Sequence, residues 1–125
     1  MLVSISITAY NEEQNIGRSL GSALRQNYKP LEIFLTDDAS NDKTLDEAMR
    51  VKKKMNVNIP LEVVRNSKNK GFGGGHNISL RKSKAGAILC LNAACELDEN
   101  SVKYAIEALR GNSRIGAVQG KLINP

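Results

Sequence analysis

The sequence is poor in the residues that build aromatic platforms, disulfide frameworks and metal-binding motifs. Its 125 residues include no Trp, three Tyr, two Phe, two Cys and one His. With so few aromatic residues there is no stacking platform for bases, so no nucleic-acid partner is expected. Cys90 and Cys95 form neither a metal motif nor a disulfide framework. Cys90, between Leu89 and Leu91, is expected to be a core thiol.

Long apolar runs and basic leader segments are also lacking. No stretch approaches the roughly 20 apolar residues needed to cross a bilayer. The apolar start, MLVSISITAYNEE, is short and has no basic segment, which argues against a secretory signal peptide. A cytoplasmic location is therefore expected. The chain length and an ordinary hydrophobic share of 41% predict one soluble globular domain over residues 1–125.

One segment of the sequence has no acidic residue, and another has almost no basic residue. Between Arg65 and Lys84 there is no acidic residue, but there are six basic ones, at positions 65, 68, 70, 81, 82 and 84. Between Asp37 and Glu47 there are five acidic residues and a single Lys. With a net charge of +5, this distribution favours an anionic partner such as a nucleotide phosphate. The alternative is that both segments are solvated surfaces.

Strand-like and helix-like patterns alternate along the chain. Short apolar runs predict strands near residues 2–7, 33–35, 61–64 and 87–91, and a last apolar segment covers 115–118. Amphipathic spacing predicts helices whose inner faces are Ile16, Leu20, Ala23 and Leu24; Leu45, Ala48, Met49 and Met55; and Val102, Ala105, Ile106 and Leu109. A short helix is expected over Ile78 and Leu80. This alternation predicts βαβ units and a mainly parallel sheet in a three-layer α/β/α sandwich.

Polar and glycine residues mark the expected boundaries of the helices. Asn11 is a candidate N-cap for the first helix, and Ser40 or Asn41 for the second. The stretch NSKNKGFGGGHN, residues 66–77, is expected to be a glycine-rich loop that leads into a short third helix.

A polar segment follows each predicted strand. The four segments are Thr8–Asn11, Asp37–Asn41, Asn66–Asn77 and Asn92–Glu96. Open parallel sheets bind ligands at the carboxyl ends of their strands. The convergence of these segments therefore predicts a binding site at that edge of the sheet.

Two adjacent acids and one tyrosine are candidate ligand contacts at this edge. A carboxylate of Asp37 or Asp38 can accept a hydrogen bond from a ribose hydroxyl or a base N–H. Since neighbouring side chains point in different directions, at least one of the two is expected to be structural. Tyr10 is placed either to stack on a base or to pack against the protein.

The glycine-rich stretch permits two interpretations. GFGGGHN offers backbone N–H groups that suit a diphosphate, with Lys68, Lys70 and Arg81 as counter-charge. It matches neither the P-loop nor the dinucleotide pattern, so the glycines could equally serve a tight turn that packs on the sheet. His76, the single histidine, is either a base or phosphate donor, or else an exposed or packing residue.

Together these blocks resemble a known family. VSISITAYNEEQNIGRSLGSALRQNY, LEIFLTDDASNDKT, NKGFGGGHN and AILCLNAACEL resemble, in order and approximate spacing, the family 2 glycosyltransferases of GT-A fold, and in particular rhamnosyltransferase-like members. The resemblance runs from Val3 to about Lys121. It implies a nucleotide-diphosphate sugar as donor, and a saccharide or lipid-linked acceptor at the inner face of a membrane.

The resemblance also implies roles for individual positions. The first strand would end beside the nucleotide, an acid after the second strand would contact the base or ribose, and the glycine stretch would lie against the sugar and diphosphate. The implied donor-binding residues are Thr8, Tyr10, Asn11, Asp37, Asp38, Gly71, Gly74, Gly75, Asn77 and Asn92. No catalytic residue is assigned.

The sequence departs from the family pattern in two respects. Asn92–Glu96 occupies the place of the D-x-D motif, which holds a divalent cation on the two phosphates, but Ala94 stands where Asp is expected. Glu96 is left as the candidate ligand for Mn²⁺ or Mg²⁺, with weakened affinity. Family members also usually continue for about as many residues again, and that half carries the acceptor site and the general base.

Two functional hypotheses follow. The first is the donor-binding half of a glycosyltransferase, a hexosyltransferase by family, acting alone, as a homodimer or with a second polypeptide. The second is a non-catalytic nucleotide-binding or scaffold module descended from such an enzyme. An unrelated dinucleotide-binding domain is disfavoured, because the glycine stretch follows the third strand and not the first.

Overall fold

The computed structural model describes residues 1–124, in which four strands alternate with four helices. The elements are β1 Val3–Ala9, α1 Ile16–Leu24, β2 Leu31–Asp37, α2 Thr44–Met55, β3 Leu61–Arg65, α3 Gly71–Lys82, β4 Ala87–Asn92 and α4 Ser101–Gly111. The alternation predicted from the sequence is therefore confirmed.

The four strands form one parallel sheet in the order β3-β2-β1-β4. Ile5 of β1 is level with Ile33 of β2 and Leu89 of β4. Helices α1, α2 and α3 each return the chain to the starting edge of the sheet, so all four strands end at the same edge. The expected parallel sheet is confirmed.

The two faces of β1 differ sharply in chemistry. Val3, Ile5 and Ile7 point to one face and join a buried apolar cluster with residues of α1, α2 and α4. Ser4 and Ser6 point to the other face, as strand alternation requires, and are fully buried there. Helix α3 covers that polar face, which completes the predicted three-layer α/β/α sandwich.

The glycine-rich stretch is where the structure differs most from expectation. Only residues 66–70 precede the third helix, and GFGGGHN forms the first two turns of α3. Each glycine in a helix interior costs up to about 1 kcal/mol relative to alanine, so local propensity predicts a loop. Contacts with the sheet override that propensity. A Cβ on Gly75 would lie 2.2 Å from Cγ2 of Thr8, so only glycine allows α3 to approach β1 this closely.

The predicted N-cap of the first helix is wrong. α1 begins at Ile16, not after Asn11, and Asn11 adopts a left-handed conformation with φ 50°. Its side-chain oxygen accepts a hydrogen bond from the backbone N–H of Asn41 at 2.8 Å. Asn11 therefore joins two loops instead of capping a helix.

The predicted N-caps of the second helix are also wrong. α2 begins at Thr44, beyond both Ser40 and Asn41. The carboxylate of Asp42 accepts the backbone N–H of Thr44 at 3.0 Å and provides the local turn. Ser40 and Asn41 instead bond to the loop that follows β1.

Three apolar positions differ from the predicted burial. Met49 is 42% exposed, and Val51 takes its place on the inner face of α2. Cys90 is exposed, because β4 lies at the edge of the sheet and α3 covers the polar face only over the central strands. The apolar segment 115–118 forms no helix or strand, and Ile115 is 39% exposed.

Candidate functional site

The loops after β1 and β2 are joined by hydrogen bonds at the carboxyl edge of the sheet. The backbone N–H of Asn11 donates to Oγ of Ser40 at 2.9 Å, and the Asn41 N–H donates back to Asn11. The backbone N–H of Asp38 donates to the carbonyl of Ala9 at 2.8 Å. Two of the predicted segments therefore form one rigid surface.

Asp38 connects this surface to β3 and α3. Its Oδ1 accepts the side-chain amide of Asn66 at 3.0 Å and the backbone N–H of Lys70 at 2.8 Å. Its Oδ2 accepts the N–H of Gly71 at 2.9 Å. Asp38 is 2% exposed, so these three donors compensate a buried charge and satisfy the first N–H groups of α3.

Asp37 is equally buried but far less saturated. It is 1% exposed, and its Oδ1 accepts only a long hydrogen bond, 3.3 Å, from the backbone N–H of Ser40. Its Oδ2 has no partner among residues 1–124. The expectation that the two acids differ in role agrees with this contrast, because one carboxylate joins three elements and the other keeps a free oxygen.

The remaining predicted positions on β1 and α3 divide into packed and exposed groups. Thr8 is 7% exposed and packs against Gly75, while Tyr10 is 46% exposed beside it in sequence. Gly71 has φ +80°, which is the reason for glycine at the start of α3. Asn77 is exposed about two turns into α3, away from the strand ends.

Gly74 is also constrained by packing. A Cβ on Gly74 would lie 2.8 Å from Cβ of Lys70, so a side chain there would displace the residue that precedes α3. Gly73, by contrast, has open space around it. The glycines at 71, 74 and 75 therefore serve the turn and the close packing that the sequence offered as the second interpretation.

The segment after β4 takes a different course from the other three. Asn92 closes a turn by accepting the Ala94 N–H at 2.9 Å, and the chain then runs along α1. The Leu97 N–H donates to Oγ of Ser22 at 2.9 Å, and the Gln26 side chain donates to the carbonyl of Asp98 at 2.7 Å. Residues 95–98 are thereby led away from the strand ends.

Glu96, the candidate metal ligand, lies on this descending segment. Its Oε1 is 3.8 Å from Nη2 of Arg25, whose guanidinium lies beside Gly21. Gly21 is five residues along α1, about 8 Å of helix rise from Ile16. Both side chains are more than half exposed. Glu96 is therefore placed along α1 and not with Asp37 and Asp38.

Comparison with protein families identifies the chain. Residues 4–123, almost the whole chain, match the model of the family described as glycosyl transferase family 2. The chain belongs to glycosyl transferase family 2. The resemblance noted in the sequence is thus confirmed at the level of the family.

Curated relatives of the chain are much longer proteins. A poly-beta-1,6-N-acetyl-D-glucosamine synthase of Staphylococcus epidermidis is 29% identical over 119 residues, and the Staphylococcus aureus (strain COL) synthase is 25% identical over 118. Each alignment covers 94% of this chain but only 28% of the relative. The chain thus spans little more than a quarter of the length of these relatives.

Two solved structures are similar in fold to this chain. S. aureus TarS 1–349 in complex with UDP-GlcNAc matches with a TM-score of 0.77 and 24% identity, covering all of this chain and 37% of that one. The mannosyltransferase PcManGT from Pyrobaculum calidifontis, in complex with GDP-Man and Mn²⁺, matches with a TM-score of 0.78 and 23% identity, covering 86% and 32%. The fold of this family 2 chain is therefore that of the GT-A transferases.

The Mn²⁺ in the PcManGT complex calls for a test of this chain's own oxygen ligands. Mn²⁺ and Mg²⁺ prefer carboxylates and other oxygen ligands. No group of three or more His, Cys, Asp or Glu close enough to hold a metal ion occurs within residues 1–124. Glu96 faces an arginine, both oxygens of Asp38 already accept N–H donors, and Asp37 offers one unpaired oxygen. These residues do not fit a chelated divalent cation.

His76 lies under the site and not on its surface. Its Nδ1 is 2.7 Å from Oγ of Ser6, its ring packs edge-on against Phe72 at 4.3 Å between centroids, and it is 4% exposed. Burial lowers the pKa of His76 below its usual value. The imidazole therefore packs in the contact between α3 and the sheet, where burial favours its neutral form, and packing is the second of its sequence interpretations.

Several residues of this site were not singled out from the sequence. Asn66 and Asn69 bond to Asp38, while Ser19, Ser22 and Gln26 hold the segment after β4. Asn66 has a detectable signal, because it directly follows β3, as Asp38 follows β2, and it begins the predicted segment Asn66–Asn77. The α1 residues have none, since Ser and Gln within a helix usually face solvent.

No helix described in residues 1–124 is long and apolar enough to cross a membrane.

Proposed function

We propose that this family 2 protein binds a nucleotide-diphosphate sugar at the carboxyl edge of its sheet, for transfer of the sugar to a saccharide or lipid-linked acceptor. One observation carries the proposal: the loops after β1, β2 and β3 are hydrogen-bonded into one surface around two buried aspartates. The UDP-GlcNAc and GDP-Man complexes of the structural neighbours support the ligand class.

In this proposal an aspartate recognises the nucleoside. Asp38 is the better candidate, because it faces α3 on the same side of the sheet as Thr8, and its backbone N–H donates to the carbonyl of Ala9, just before the exposed Tyr10. Its Oδ2 accepts a single N–H and retains one acceptor position for a base N–H or a ribose hydroxyl. Asp37 offers its unpaired oxygen from the opposite face of β2.

Tyr10 provides the apolar contact for the base. A half-exposed tyrosine ring at a strand end is available for stacking, which is worth roughly 1–3 kcal/mol per base in nucleic-acid complexes. Backbone and side-chain bonds between Asn11 and residues 40–41 fix the turn that carries it. The proposal assigns no general base, and it limits these residues to holding and orienting the donor.

Calorimetric titration of the purified protein with UDP, TDP, GDP and UDP-GlcNAc tests the proposal. We expect binding of at least one nucleotide and about tenfold weaker binding after Tyr10→Ala. Tyr104→Ala is the matched control, because Tyr104 is 58% exposed on α4. No heat and no thermal stabilisation with any of these nucleotides at millimolar concentration would overturn the proposal, as would equal losses in both variants.

A non-catalytic nucleotide-binding or scaffold module is the second candidate. The ion pair of Glu96 with Arg25, in the segment where the family pattern holds its metal, favours it. Release of UDP from UDP-GlcNAc separates the two functions. Turnover with or without added saccharide acceptors would support the transferase, and tight binding without turnover by the full-length protein would support the module.

Location and assembly form part of the same proposal. We place the protein in the cytoplasm, at the inner face of the membrane, because a lipid-linked or growing saccharide acceptor would be met there. We further propose that the protein works as a homodimer or with a second polypeptide. Fractionation of cells measures the location, and light scattering of the purified protein measures the oligomeric state. A protein recovered only outside the cytoplasmic and inner-membrane fractions would contradict the proposed location.

A further inference from the structure

The proposed site must supply positive charge to compensate the diphosphate of the donor. A nucleoside diphosphate carries negative charge that must be compensated when it is bound and when it leaves. In the PcManGT complex a Mn²⁺ ion accompanies GDP-Man. Within residues 1–124 no cluster of three or more His, Cys, Asp or Glu could hold such an ion. Both oxygens of Asp38 accept N–H donors, Glu96 faces Arg25, and Asp37 is left with one unpaired oxygen.

Two lysines lie on the segment that Asp38 holds at the carboxyl edge. Residues 66–70 connect β3 to α3, and three of their groups bond to Asp38: the Asn66 and Asn69 side-chain amides and the Lys70 N–H. Lys68 and Lys70 are exposed on this fixed segment. Neither takes part in an ion pair among the residues that the structure describes.

The local charge favours an anion beside these lysines. From Arg65 to Lys84 the sequence has six basic residues and no acid. Of these six, Lys82 alone forms an ion pair with another residue of 1–124, Glu62 at 2.7 Å. Asp38 does not cancel this potential at the surface, because it is 2% exposed and compensated by buried donors. A lysine ammonium binds phosphate as a compact point charge with three donors.

We propose that Lys68 and Lys70 neutralise the diphosphate of the bound nucleotide, and that binding therefore needs no chelated divalent cation. This inference rests on the proposed function and adds to it the groups that recognise the phosphates. Positive charge comes from the segment before α3, and the segment after β4, where the family pattern places the metal, serves as a brace along α1.

Titration of the purified protein with UDP, in EDTA and in millimolar Mn²⁺, tests the proposal. If another nucleotide binds more tightly in the initial panel, its diphosphate is used instead. We expect the same Kd within about twofold in both buffers. We expect Lys68→Ala/Lys70→Ala to weaken binding at least about tenfold, and Lys53→Ala/Lys54→Ala, which removes the same charge from the exposed side of α2, to change it less than about twofold.

A charge-mediated contact also predicts a dependence on salt. Raising the ionic strength should weaken binding by the native protein more than by the Lys68→Ala/Lys70→Ala variant. Thermal unfolding of each variant without ligand identifies any loss of folding, and Lys68→Arg/Lys70→Arg should restore binding if the charge is what matters.

The outcomes separate this inference from the function on which it rests. Failure of every nucleotide to bind overturns the proposed function itself. Binding that appears only with Mn²⁺ overturns the present inference and leaves the function standing. Binding that is independent of Mn²⁺ but unaffected by the Lys68→Ala/Lys70→Ala change also overturns it, because the charge would then come from other groups.

Discussion

The segments after β2 and β4 begin alike and end differently. Each follows a strand of the sheet with polar residues, yet Asp37 and Asp38 stay at the carboxyl edge while Glu96 is carried along α1. The difference lies in the partners: Asp38 meets the N–H groups at the start of a helix, and the segment after β4 meets hydroxyl and amide groups along one. A polar residue after a strand is therefore only a candidate until its partners are known.

The largest expected effect comes from filling the contact between α3 and β1. Gly75→Ala places a methyl group 2.2 Å from Cγ2 of Thr8 and should lower the free energy of unfolding by about 1–3 kcal/mol. Gly73→Ala is the control, since its Cβ would meet open space and should stabilise α3 by about 0.4–1 kcal/mol. Urea unfolding measures both. Equal effects of the two substitutions would mean that α3 is not held against Thr8.

Exchanging the neighbouring aspartates for asparagine tests the contrast between them. Asp38→Asn replaces one carboxylate oxygen by an NH₂ group, which then faces an N–H donor, and removes the charge that three donors satisfy. The free energy of unfolding should therefore fall by about 1–3 kcal/mol. Asp37→Asn keeps the oxygen that Ser40 uses and should cost less. A larger loss of stability for Asp37→Asn would reverse the structural roles of the two acids.

The pH dependence of stability reports on the polar face beneath the site. Burial lowers the pKa of His76 in the folded protein, so the unfolded chain takes up the proton first as the pH falls. The stabilising contribution of neutral His76 is therefore complete above its unfolded pKa, about 6.5, and is lost as the pH decreases through the folded pKa. The difference in unfolding free energy between the native protein and His76→Gln, followed from about pH 8 to 5, should shrink accordingly. Parallel pH curves would contradict this.

The smallest effect is expected at Glu96. Its ion pair with Arg25 is long and exposed, and such pairs contribute roughly 0–1 kcal/mol. Glu96→Gln should therefore change stability by less than about 0.5 kcal/mol and leave nucleotide binding unchanged in Mn²⁺. Asp46→Asn, an exposed acid in the first turn of α2, is the control for loss of one negative charge. A selective loss of Mn²⁺-dependent binding in Glu96→Gln would restore it as a metal ligand.

Much of the fold could be predicted because hydrophobic periodicity is a local property of the sequence. The runs through Ile5, Ile33 and Leu89 predict buried strands, and the helices between them require a parallel sheet. The start of α3 could not be predicted in this way. Its first turns are rich in glycine, and it is helical only because Asp38 and Thr8, distant in sequence, fix its end and its spacing.

The candidate site could be predicted at the level of segments but not of partners. Strand ends identify the region of Asp37, Asp38 and Asn66, since all strands of a parallel sheet end at one edge. Which oxygen of which aspartate stays free depends on hydrogen bonds between distant positions, such as Asp38 with Asn66, and no pattern within one segment encodes these. The same holds for Glu96, because its placement depends on Ser22, within α1, and on Arg25, directly after α1.

The contact between Gly75 and Thr8 has a consequence for how natural variants of this protein should differ. Since a side chain at position 75 fits only if position 8 becomes smaller, these two positions form a coupled pair whose changes are expected to occur together. A homologue with Ala at 75 should carry Gly or Ala at 8, and would thereby lose a hydroxyl next to the proposed nucleotide site. Diversification of this edge is thus constrained by helix packing as well as by ligand chemistry.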